Sequence, residues 1–448
     1  MRTSILVVLL FLAAVFVSTN VVAEHSSTVV ANGEERYVEQ PNHSIALSEL
    51  LDQEGHVVLP EGFSGSVDVA GYTLASGSGE APRFVRGGVD PDDAWSQNEF
   101  AVPGCNGAIL AAVVLSGELY FGGRFSVCGS IAAENIVRYD PVESTFFALG
   151  SGVDNDVTSL AVIGTDLYVG GRFSQAGGVA VNNIAVFDSA LSGNAAWSAL
   201  GSGVDDDVLD FAVMGTDLYV GGSFSQAGGS AADGIARFDT DETGDAGWST
   251  LGDGVNGAVQ SLAIIGVNLY AGGEFGQAGG APASGIAVYD TTATGNAGWS
   301  ALGSGVSDDA EVMTVISTDL YVGGDFSTAG GVAAGGIARY DTTQVGDAGW
   351  SALGSGVNGD VDALAVIGTD LFVGGFFSQA GGGPADSIAR FDTTATDDAG
   401  WSALGSGAGN VVTALAVIGA ELYVGGGFTQ AGGIAVSRVA VFDSSATG

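Results

Sequence analysis

The chain contains no lysine, and its only three histidines, His25, His43 and His56, lie near the N-terminus. All eleven basic residues are arginines, against 51 acidic residues, and the net charge is −40. Nucleic acids and anionic membrane surfaces need a basic face, so both are excluded as expected partners. The acidity suits a halophilic protein, because salt screens charge repulsion; simple solubility in an ordinary extracellular medium is the alternative.

Helical periodicity is also absent, and long apolar runs are limited to the N-terminus. The abundance of Gly, Ala, Val, Ser, Asp and Thr is typical of short strands joined by tight turns. Arg2, the apolar run 5–17 and the small residues 21–23 predict that residues 1–23 are a signal peptide. An uncleaved membrane anchor is the alternative, which the short run disfavours. We expect a protein that is secreted, at the cell surface or periplasmic, with no membrane insertion after cleavage.

Most of the chain is a repeat in which an aromatic residue returns every 51 residues, at Trp95, Phe146, Trp197, Trp248, Trp299, Trp350 and Trp401. Each unit reads as four strands: the Trp segment, a mostly apolar run, a Leu-Tyr-Val-Gly-Gly segment and an alternating Ile-Ala-Arg-Phe-Asp segment. Between the second and third, Gly-X pairs such as Gly164-Thr165 predict type II′ hairpins. The aromatics are expected to pack between sheets rather than to stack on sugars.

The paired glycines of the Leu-Tyr-Val-Gly-Gly segment occur once per unit and indicate seven units, at Gly122-Gly123, Gly170-Gly171, Gly221-Gly222, Gly272-Gly273, Gly323-Gly324, Gly374-Gly375 and Gly425-Gly426. Glycine weakens a strand, so we interpret these doublets as places where neighbouring backbones approach closely. Four strands per unit of this length predict the blades of a β-propeller.

The sequence pattern of the repeats resembles those of two known families. The Gly-Gly doublet followed by Tyr/Phe-Asp and then Trp resembles the kelch motif. Leu-Tyr-Val-Gly-Gly-x-Phe with Trp-Ser-Ala-Leu-Gly-Ser-Gly-Val is still more similar to Rax2-like repeats, over residues 95–448. This resemblance implies a secreted, bacterial-type β-propeller but no particular activity, since such rings serve many roles.

The predicted fold is therefore all-β: a seven-bladed β-propeller of four-stranded antiparallel blades. The last unit lacks a Trp strand and Trp95 lacks a blade, so 95–100 is predicted to pair beside 434–443 and close the ring. The predicted domains are the signal peptide 1–23, a non-repeat segment 24–83 and the propeller 84–448. An eight-bladed ring that uses 57–84, or a fragment of a longer protein, are the alternatives.

Only two cysteines occur, Cys105 and Cys128. Counting outward from the turn at Ser116-Gly117 places them opposite each other on two strands, provided that no bulge intervenes. An exported chain permits a disulfide, which would brace the blade beside the closure. Two free thiols are the alternative, and a metal site is not expected without a nearby histidine.

The loops after the Trp strands are acidic and fall on the same rim as the Ser-Gln-Ala-Gly-Gly loops. Their aspartates are the weak candidates for a Ca²⁺ site or for attracting cationic groups: Asp154, Asp156, Asp205, Asp206, Asp207, Asp308, Asp309 and Asp360. No unit has the Asp-x-Asp-x-Asp-Gly spacing, so a solvated acidic rim is favoured and no cofactor is predicted. The strand arginines Arg138, Arg237, Arg339 and Arg390 are expected to pair with carboxylates.

The predicted function is a secreted, monomeric scaffold that binds a protein or glycan through loops on one rim. No catalytic residue is predicted, because Ser-His-Asp, Cys-His and copper-radical chemistry all need histidines that the repeats lack. One alternative is a carbohydrate-active hydrolase or lyase that uses rim carboxylates. Another is a structural component of a cell-envelope assembly.

Overall fold

A computed structural model of the chain describes residues 28–31, 34–37, 44–46, 66–68, 72–75, 83–86, 91–95 and 104–447. The chain divides into two compact units, Met1–Asp90 and Pro91–Gly448. The predicted signal peptide lies outside the described residues. None of the described helices is long and apolar enough to cross a membrane.

The described residues of the first unit form three pairs of short strands. They are Thr28–Ala31 with Glu34–Tyr37 (antiparallel), Ser44–Ala46 with Ser66–Asp68 (parallel) and Tyr72–Ala75 with Arg83–Arg86 (antiparallel). Strands therefore occur in the segment that carries no repeat.

The second unit is a ring of seven blades, which confirms the predicted fold class. From the axis outward, blades 1 to 6 have an inner, a second, a third and an outer strand, all antiparallel, and blade 7 has the first three. The inner strands of blades 1 to 7 are Ala108–Leu115, Val157–Ile163, Val208–Met214, Ala258–Ile265, Ala310–Ile316, Asp360–Ile367 and Val412–Ile418. The second strands are Glu118–Arg124, Asp166–Gly171, Asp217–Gly222, Asn268–Glu274, Asp319–Gly324, Asp370–Phe376 and Glu421–Gly426. The third strands are Ile136–Asp140, Ile184–Asp188, Ile235–Asp239, Ile286–Asp290, Ile337–Asp341, Ile388–Asp392 and Val439–Asp443.

The outer strands of blades 1 to 6 are Thr145–Ala148, Trp197–Ala199, Trp248–Thr250, Trp299–Ala301, Trp350–Ala352 and Trp401–Ala403. The described residues contain no α-helix, only short 3-10 turns, which lie at Pro91–Ala94, Gly193–Ala196, Gly244–Gly247, Gly295–Gly298, Gly346–Gly349, Asp398–Gly400 and Ser444–Thr447. Inner strands of neighbouring blades pack in an unbroken cycle, and the strand of blade 7 packs on that of blade 1. The sheets therefore form a closed ring, with apolar side chains buried between blades.

The aromatic that marks each repeat packs between sheets, and it is buried in all repeats except those of Trp248 and Trp401, which are half-buried. Trp197 stacks edge-on against Phe187 of its own blade, with ring centroids 5.1 Å apart. Its Nε1 donates to the carbonyl oxygen of Leu149, in the segment that leaves the preceding blade. The same pairing and hydrogen bond recur at the other tryptophans, so these residues join blades rather than face a ligand.

At the end of the ring, Trp95 occupies the place of the missing outer-strand aromatic. It forms an isolated antiparallel bridge with Phe442, and the two rings lie 5.2 Å apart. Trp95 Nε1 donates to Leu404 O at 3.0 Å, and Asp92 Oδ1 accepts from the backbone N–H of Ser406 at 2.6 Å. Asp245 and Trp248 make the equivalent two bonds in blade 3. The rest of the predicted closing strand, 96–100, lies outside the described residues.

The Ser-Gln-Ala-Gly-Gly segments were expected to be loops, but each forms a two-stranded hairpin of its own. They are Val127–Cys128 with Ile131–Ala132, Gln175–Ala176 with Val179–Ala180, Gln226–Ala227 with Ser230–Ala231, Gln277–Ala278 with Ala281–Pro282, Thr328–Ala329 with Val332–Ala333, Gln379–Ala380 with Gly383–Pro384, and Gln430–Ala431 with Ile434–Ala435. The turn between the inner and second strands matches the prediction in blade 2, where Gly164 has φ 63° and Thr165 does not enter the left-handed region. In blade 1, Ser116 and Gly117 both have positive φ, which is the type I′ pattern.

The two glycines of each doublet have different roles. A Cβ added to Gly374 would lie 2.5 Å from Cγ1 of Val412, on the inner strand of the next blade. A Cβ added to Gly375 would lie 2.0 Å from the carbonyl oxygen of Asp360 in its own blade. Close backbone approach, as predicted, therefore explains only the second glycine, whereas the first receives a side chain of the neighbouring sheet.

We expect Gly374→Ala to lower the free energy of unfolding by about 1–3 kcal/mol, because the added methyl overpacks the seam with Val412. Thermal and denaturant unfolding would measure it. Val412→Ala should recover part of the loss in the double variant. Gly276→Ala is the matched control, since nothing lies within 4 Å of a Cβ there. Equal losses in the two glycine variants would contradict the packing role.

Every inner strand contains a bulge near its start, which the repeat pattern does not reveal. The register shifts between Val157 and Ser159 in blade 2, and at the same place in the other blades. The residues at the bulges are Leu110, Thr158, Leu209, Gln260, Glu311, Asp362 and Thr413. A bulge interrupts the alternation of side chains between the two faces of a strand, so the side chains of these seven residues do not follow that alternation.

Candidate ligand-binding rim

The two sets of loops that were predicted to share a rim do meet. Val153 forms a bridge with Ala176 of the hairpin in its own blade, and the other blades have equivalent bridges. In blade 1 this bridge joins Cys105 to Cys128, which form the predicted disulfide. The pairing of the cysteines was predicted on the condition that the strands contain no bulge. The strand does bulge at Leu110, but a second shift in register before Ala108 brings Cys105 opposite Cys128 again.

Two of the predicted rim aspartates hold hairpins in place. Asp154 accepts from the backbone N–H and the hydroxyl of Ser174 and from the N–H of Gln175, at 2.7–2.9 Å. Asp205 does the same in blade 3. Although burial opposes it, these hydrogen bonds lower the pKa of both carboxyls. Residues Asn106, Asn256, Ser307 and Asn358 cap the hairpins of other blades in the same way, so the position is structural.

Two further aspartates form ion pairs across seams. Arg124, directly after the first glycine doublet, donates to Asp156 of blade 2, with Nε 2.9 Å from Oδ1. Arg172 pairs in the same way with Asp207 of blade 3, with Nε 2.8 Å from Oδ1. Asp206 lies beside this pair and accepts from the N–H of Asp207. The first two seams therefore carry opposite charges that compensate each other.

The equivalent seams on the other side of the ring carry carboxylates on both sides. Glu274 and Asp325 replace the two arginines after the doublets of blades 4 and 5. Burial, together with the charges of Asp308, Glu274 and Asp325, raises the pKa of Asp309. Burial and the charge of Asp325 likewise raise the pKa of Asp360. The last three predicted rim residues thus lie among like charges rather than in ion pairs.

We use the name acidic sector for the seven carboxylates of blades 4 to 6 on this rim: Glu274, Asp308, Asp309, Glu311, Asp325, Asp360 and Asp362. None of the ion pairs formed by the described residues includes any of them. Glu274, Asp308 and Asp309 line an open cleft of about 320 Å³ together with Asn256, Ser284 and Val306. Beside the sector, Phe376 takes the position after the blade 6 doublet and is 61% exposed.

Two carboxyls of the acidic sector occupy bulge positions and were not among the predicted residues. Burial, followed by the charges of Asp362, Asp360, Asp309 and Asp325, raises the pKa of Glu311 to about 7. Burial and the charge of Asp360 raise the pKa of Asp362 to about 6. A comparison of the repeats at the residue after the inner-strand valine or alanine would have drawn attention to both.

A third buried carboxyl lies on the inner strand of blade 3. Asp210 accepts from the backbone N–H of Leu262 in blade 4 at 2.7 Å and from Ser159 Oγ of blade 2 at 3.4 Å. Burial raises its pKa to about 7. Asp210 therefore links three consecutive blades near the axis.

The strand arginines have the structural role that was expected. Arg237 pairs with Asp217 at 2.7 Å and Arg339 with Asp319 at 2.7 Å, each across to the second strand of its own blade. Arg138 and Arg390 form similar pairs with Glu118 and Asp370. Among the described residues, no three His, Cys, Asp or Glu side chains are grouped as metal ligands would be.

Comparison with known proteins supports a β-propeller repeat protein at this coarse level. A family model described as a domain of unknown function (DUF5122) beta-propeller matches residues 218–248, within blade 3. No curated protein matches the chain significantly. Among solved structures, the chain is similar to the computationally designed Ika8 protein, with 16% identity and a TM-score of 0.46 over 76% of this chain and 98% of that one. The kelch-like and Rax2-like resemblances stay predictions.

Proposed function

We propose that the ring is a binding scaffold whose ligand is a protein segment that carries cationic and apolar side chains, and that this segment docks on the acidic sector. The observation that supports this proposal is the break in the repeat. Two seams are neutralised by arginines after the glycine doublets, whereas the equivalent positions Glu274 and Asp325 face further carboxylates. Charges of one sign that are left together on a rim favour a partner of the opposite sign.

The exposed Phe376 adds an apolar contact at the edge of the same sector. Aromatic side chains are enriched at the energetic centres of protein interfaces, where charged neighbours set orientation and association rate. A partner segment with arginine or lysine residues beside an apolar residue would meet both features. A neutral sugar would use the aromatic ring but gain nothing from the carboxylates.

The proposal is tested with a fluorescent peptide that combines four arginines with one tryptophan, and with a matched peptide in which glutamate replaces arginine. We expect the cationic peptide to bind at low salt and to be released as salt rises. Glu274→Arg combined with Asp325→Arg, which reproduces the pattern of blades 1 and 2, should abolish binding, and Phe376→Ser should weaken it. The control is Glu242→Arg, an exposed charge change in the loop after a third strand.

Equal binding by the Glu242→Arg variant and the double-arginine variant would show only a general attraction to an acidic protein, and would refute a specific site. Binding of neutral oligosaccharides that is lost in Phe376→Ser but kept in the double-arginine variant would replace the proposed partner with a glycan.

A second candidate function rests on the pair Glu311 and Asp362. Glycoside hydrolysis uses a carboxylic acid with a raised pKa and a second carboxyl, and the raised pKa of Glu311 with Asp362 as its neighbour resembles such a pair. Turnover of polysaccharides that disappears in Glu311→Gln would support this hydrolase. Turnover that survives in both Glu311→Gln and Asp362→Asn would eliminate it.

The proposal also places the protein outside the cytoplasm, as a monomer. The disulfide between Cys105 and Cys128 supports this placement, because such bonds persist mainly in oxidising compartments. Fractionation of the producing cells would test it, and recovery of reduced protein from the cytosol would contradict it.

A further inference from the structure

At two of the seams, the bulge residue of one blade donates a hydrogen bond to the inner strand of the next blade. Thr158 donates from its hydroxyl to the carbonyl oxygen of Val208, the residue before the bulge in the next blade. Thr413 donates in the same way to Ile109 O across the seam between blades 7 and 1. At these two seams the bulge position thus supplies a donor to a backbone carbonyl group of the neighbouring inner strand.

In blades 5 and 6 the same position carries a carboxyl group, at Glu311 and Asp362. The carbonyl groups in the equivalent place of the next blade are those of Val361 and Val412, by the register of the bulges. A carboxylate is only an acceptor, whereas the protonated acid has one O–H donor. An ionised side chain therefore cannot do at these seams what threonine does at the other two.

Asp362 shows the consequence directly. Its Oδ2 is buried and has no hydrogen-bond partner. A buried polar atom without a partner costs free energy, and a buried anion costs more. A proton on Oδ2 would remove the charge and convert the atom into a donor.

We propose that protons act as the missing donors at these two seams: when Glu311 and Asp362 are neutral acids, their O–H groups bond to the backbone of the next blade and tighten the ring. The device goes beyond the proposed binding function, since it concerns the ring itself. No bond between heavy atoms forms or breaks. One O–H bond forms at each carboxyl when it takes a proton from solvent, and it breaks when the proton returns.

The charges around the pair act in the same direction. Asp309, Asp325 and Asp360 all disfavour ionisation of Glu311, and Asp360 disfavours that of Asp362. The neighbouring bulge residues Gln260 and Thr413 carry no charge. Because the pKa values in the folded chain lie at about 7 and about 6, above the usual carboxyl range, the folded state holds these protons more tightly. Stability should therefore increase as pH falls from 8 towards 5.

The test exchanges the two kinds of side chain. Glu311→Thr with Asp362→Thr installs the side chain of blades 2 and 7, so the melting temperature at pH 8 should rise on the order of 2 °C per seam. The difference from the unaltered protein should shrink at pH 5. Asp210 titrates in both proteins and cancels in that comparison. The reverse change, Thr413→Asp, should make the seam between blades 7 and 1 newly pH-dependent.

Carboxyl carbon NMR provides a readout that does not depend on stability. Two resonances that titrate near pH 6–7 should disappear in Glu311→Gln and Asp362→Asn. The proposal is overturned if the threonine variants show the same difference in melting temperature from the unaltered protein at pH 5 and pH 8. Carboxyl resonances that titrate only near pH 4 would overturn it as well.

Discussion

Replacing Trp95 by alanine is expected to open the ring at one place and to lower the free energy of unfolding by about 3–5 kcal/mol. The side chain is 1% exposed, stacks on Phe442 and donates to Leu404 O. Truncation therefore removes an aromatic core contact and leaves a buried carbonyl oxygen without its donor. The measurements are denaturant unfolding and hydrogen exchange, read blade by blade.

The blade in which hydrogen-exchange protection is lost distinguishes opening of the ring closure from a simple loss of packing. Trp299→Ala removes the same contacts in blade 4, where Trp299 pairs with Tyr289 and donates to Leu251 O. Both variants should lose similar global stability. Only Trp95→Ala should release protection in the third strand of blade 7, Val439–Asp443, because there the aromatic comes from a segment more than 300 residues away.

Unchanged protection of Val439–Asp443 in Trp95→Ala would show that the bridge to Phe442 does not hold the blade. Loss of protection in all blades at once would instead show that the ring unfolds only as a whole. In that case Trp95→Ala and Trp299→Ala would behave alike, and the result would contradict a local role for Trp95 at the seam.

Much of this fold could be predicted from the sequence because each blade repeats the same order of strands with the same marker residues. Seven glycine doublets indicated seven blades, and the spacing of the aromatics indicated which strand lacked a partner at each end. The contact of Trp95 with Phe442 could therefore be predicted by counting the repeats and their strands. The pairing of the strand arginines with carboxylates followed from their equivalent positions along the strands, and the structure identifies Asp217 as the partner of Arg237.

The features that could not be predicted depend on departures from regular strands. A bulge changes which side chains face the axis, and no residue type marks it, since Leu110, Thr158 and Glu311 all occupy it. The sequence analysis therefore selected Asp154 and Asp205, which cap hairpins, and missed Glu311 and Asp362, which are half-buried at the bulges of the inner strands.

The unequal charge of the seams was visible in the sequence but needed the structure to be interpreted. The residue after each doublet reads Arg124, Arg172, Ser223, Glu274, Asp325, Phe376 and Gly427. The contacts of Arg124 with Asp156 and of Arg172 with Asp207 show that this position reaches across to the next blade. Given those contacts, Glu274 and Asp325 mark two seams at which the ion pair is absent, and they are not ordinary surface charges.

Removing the disulfide is the other change with a large expected effect. Cys105 and Cys128 are 23 residues apart in sequence, and closing a loop of this length stabilises a fold by about 3 kcal/mol. Cys105→Val with Cys128→Ala is the suitable variant, because Val153 and Ala176 form the same bridge in blade 2. Packing is thereby kept, and unfolding in denaturant should report the loss of the covalent link alone.

The position of the bond gives it a second, local effect. The N–H of Cys105 donates to Ser437 O of blade 7 at 3.0 Å, so the disulfide fixes to blade 1 a residue that also holds the last blade. A matched control installs cysteines at Val204 and Ala227, an equivalent bridge in blade 3 with the same separation. If a disulfide acts only by restricting the unfolded chain, the engineered bond should raise the free energy of unfolding by as much as removal of the native bond lowers it. Hydrogen exchange at the seam between blades 7 and 1 should then not change when the native bond is removed. We expect exchange at that seam to rise when the native bond alone is removed, because the same residue then has only its backbone hydrogen bonds to keep the two ends of the ring together.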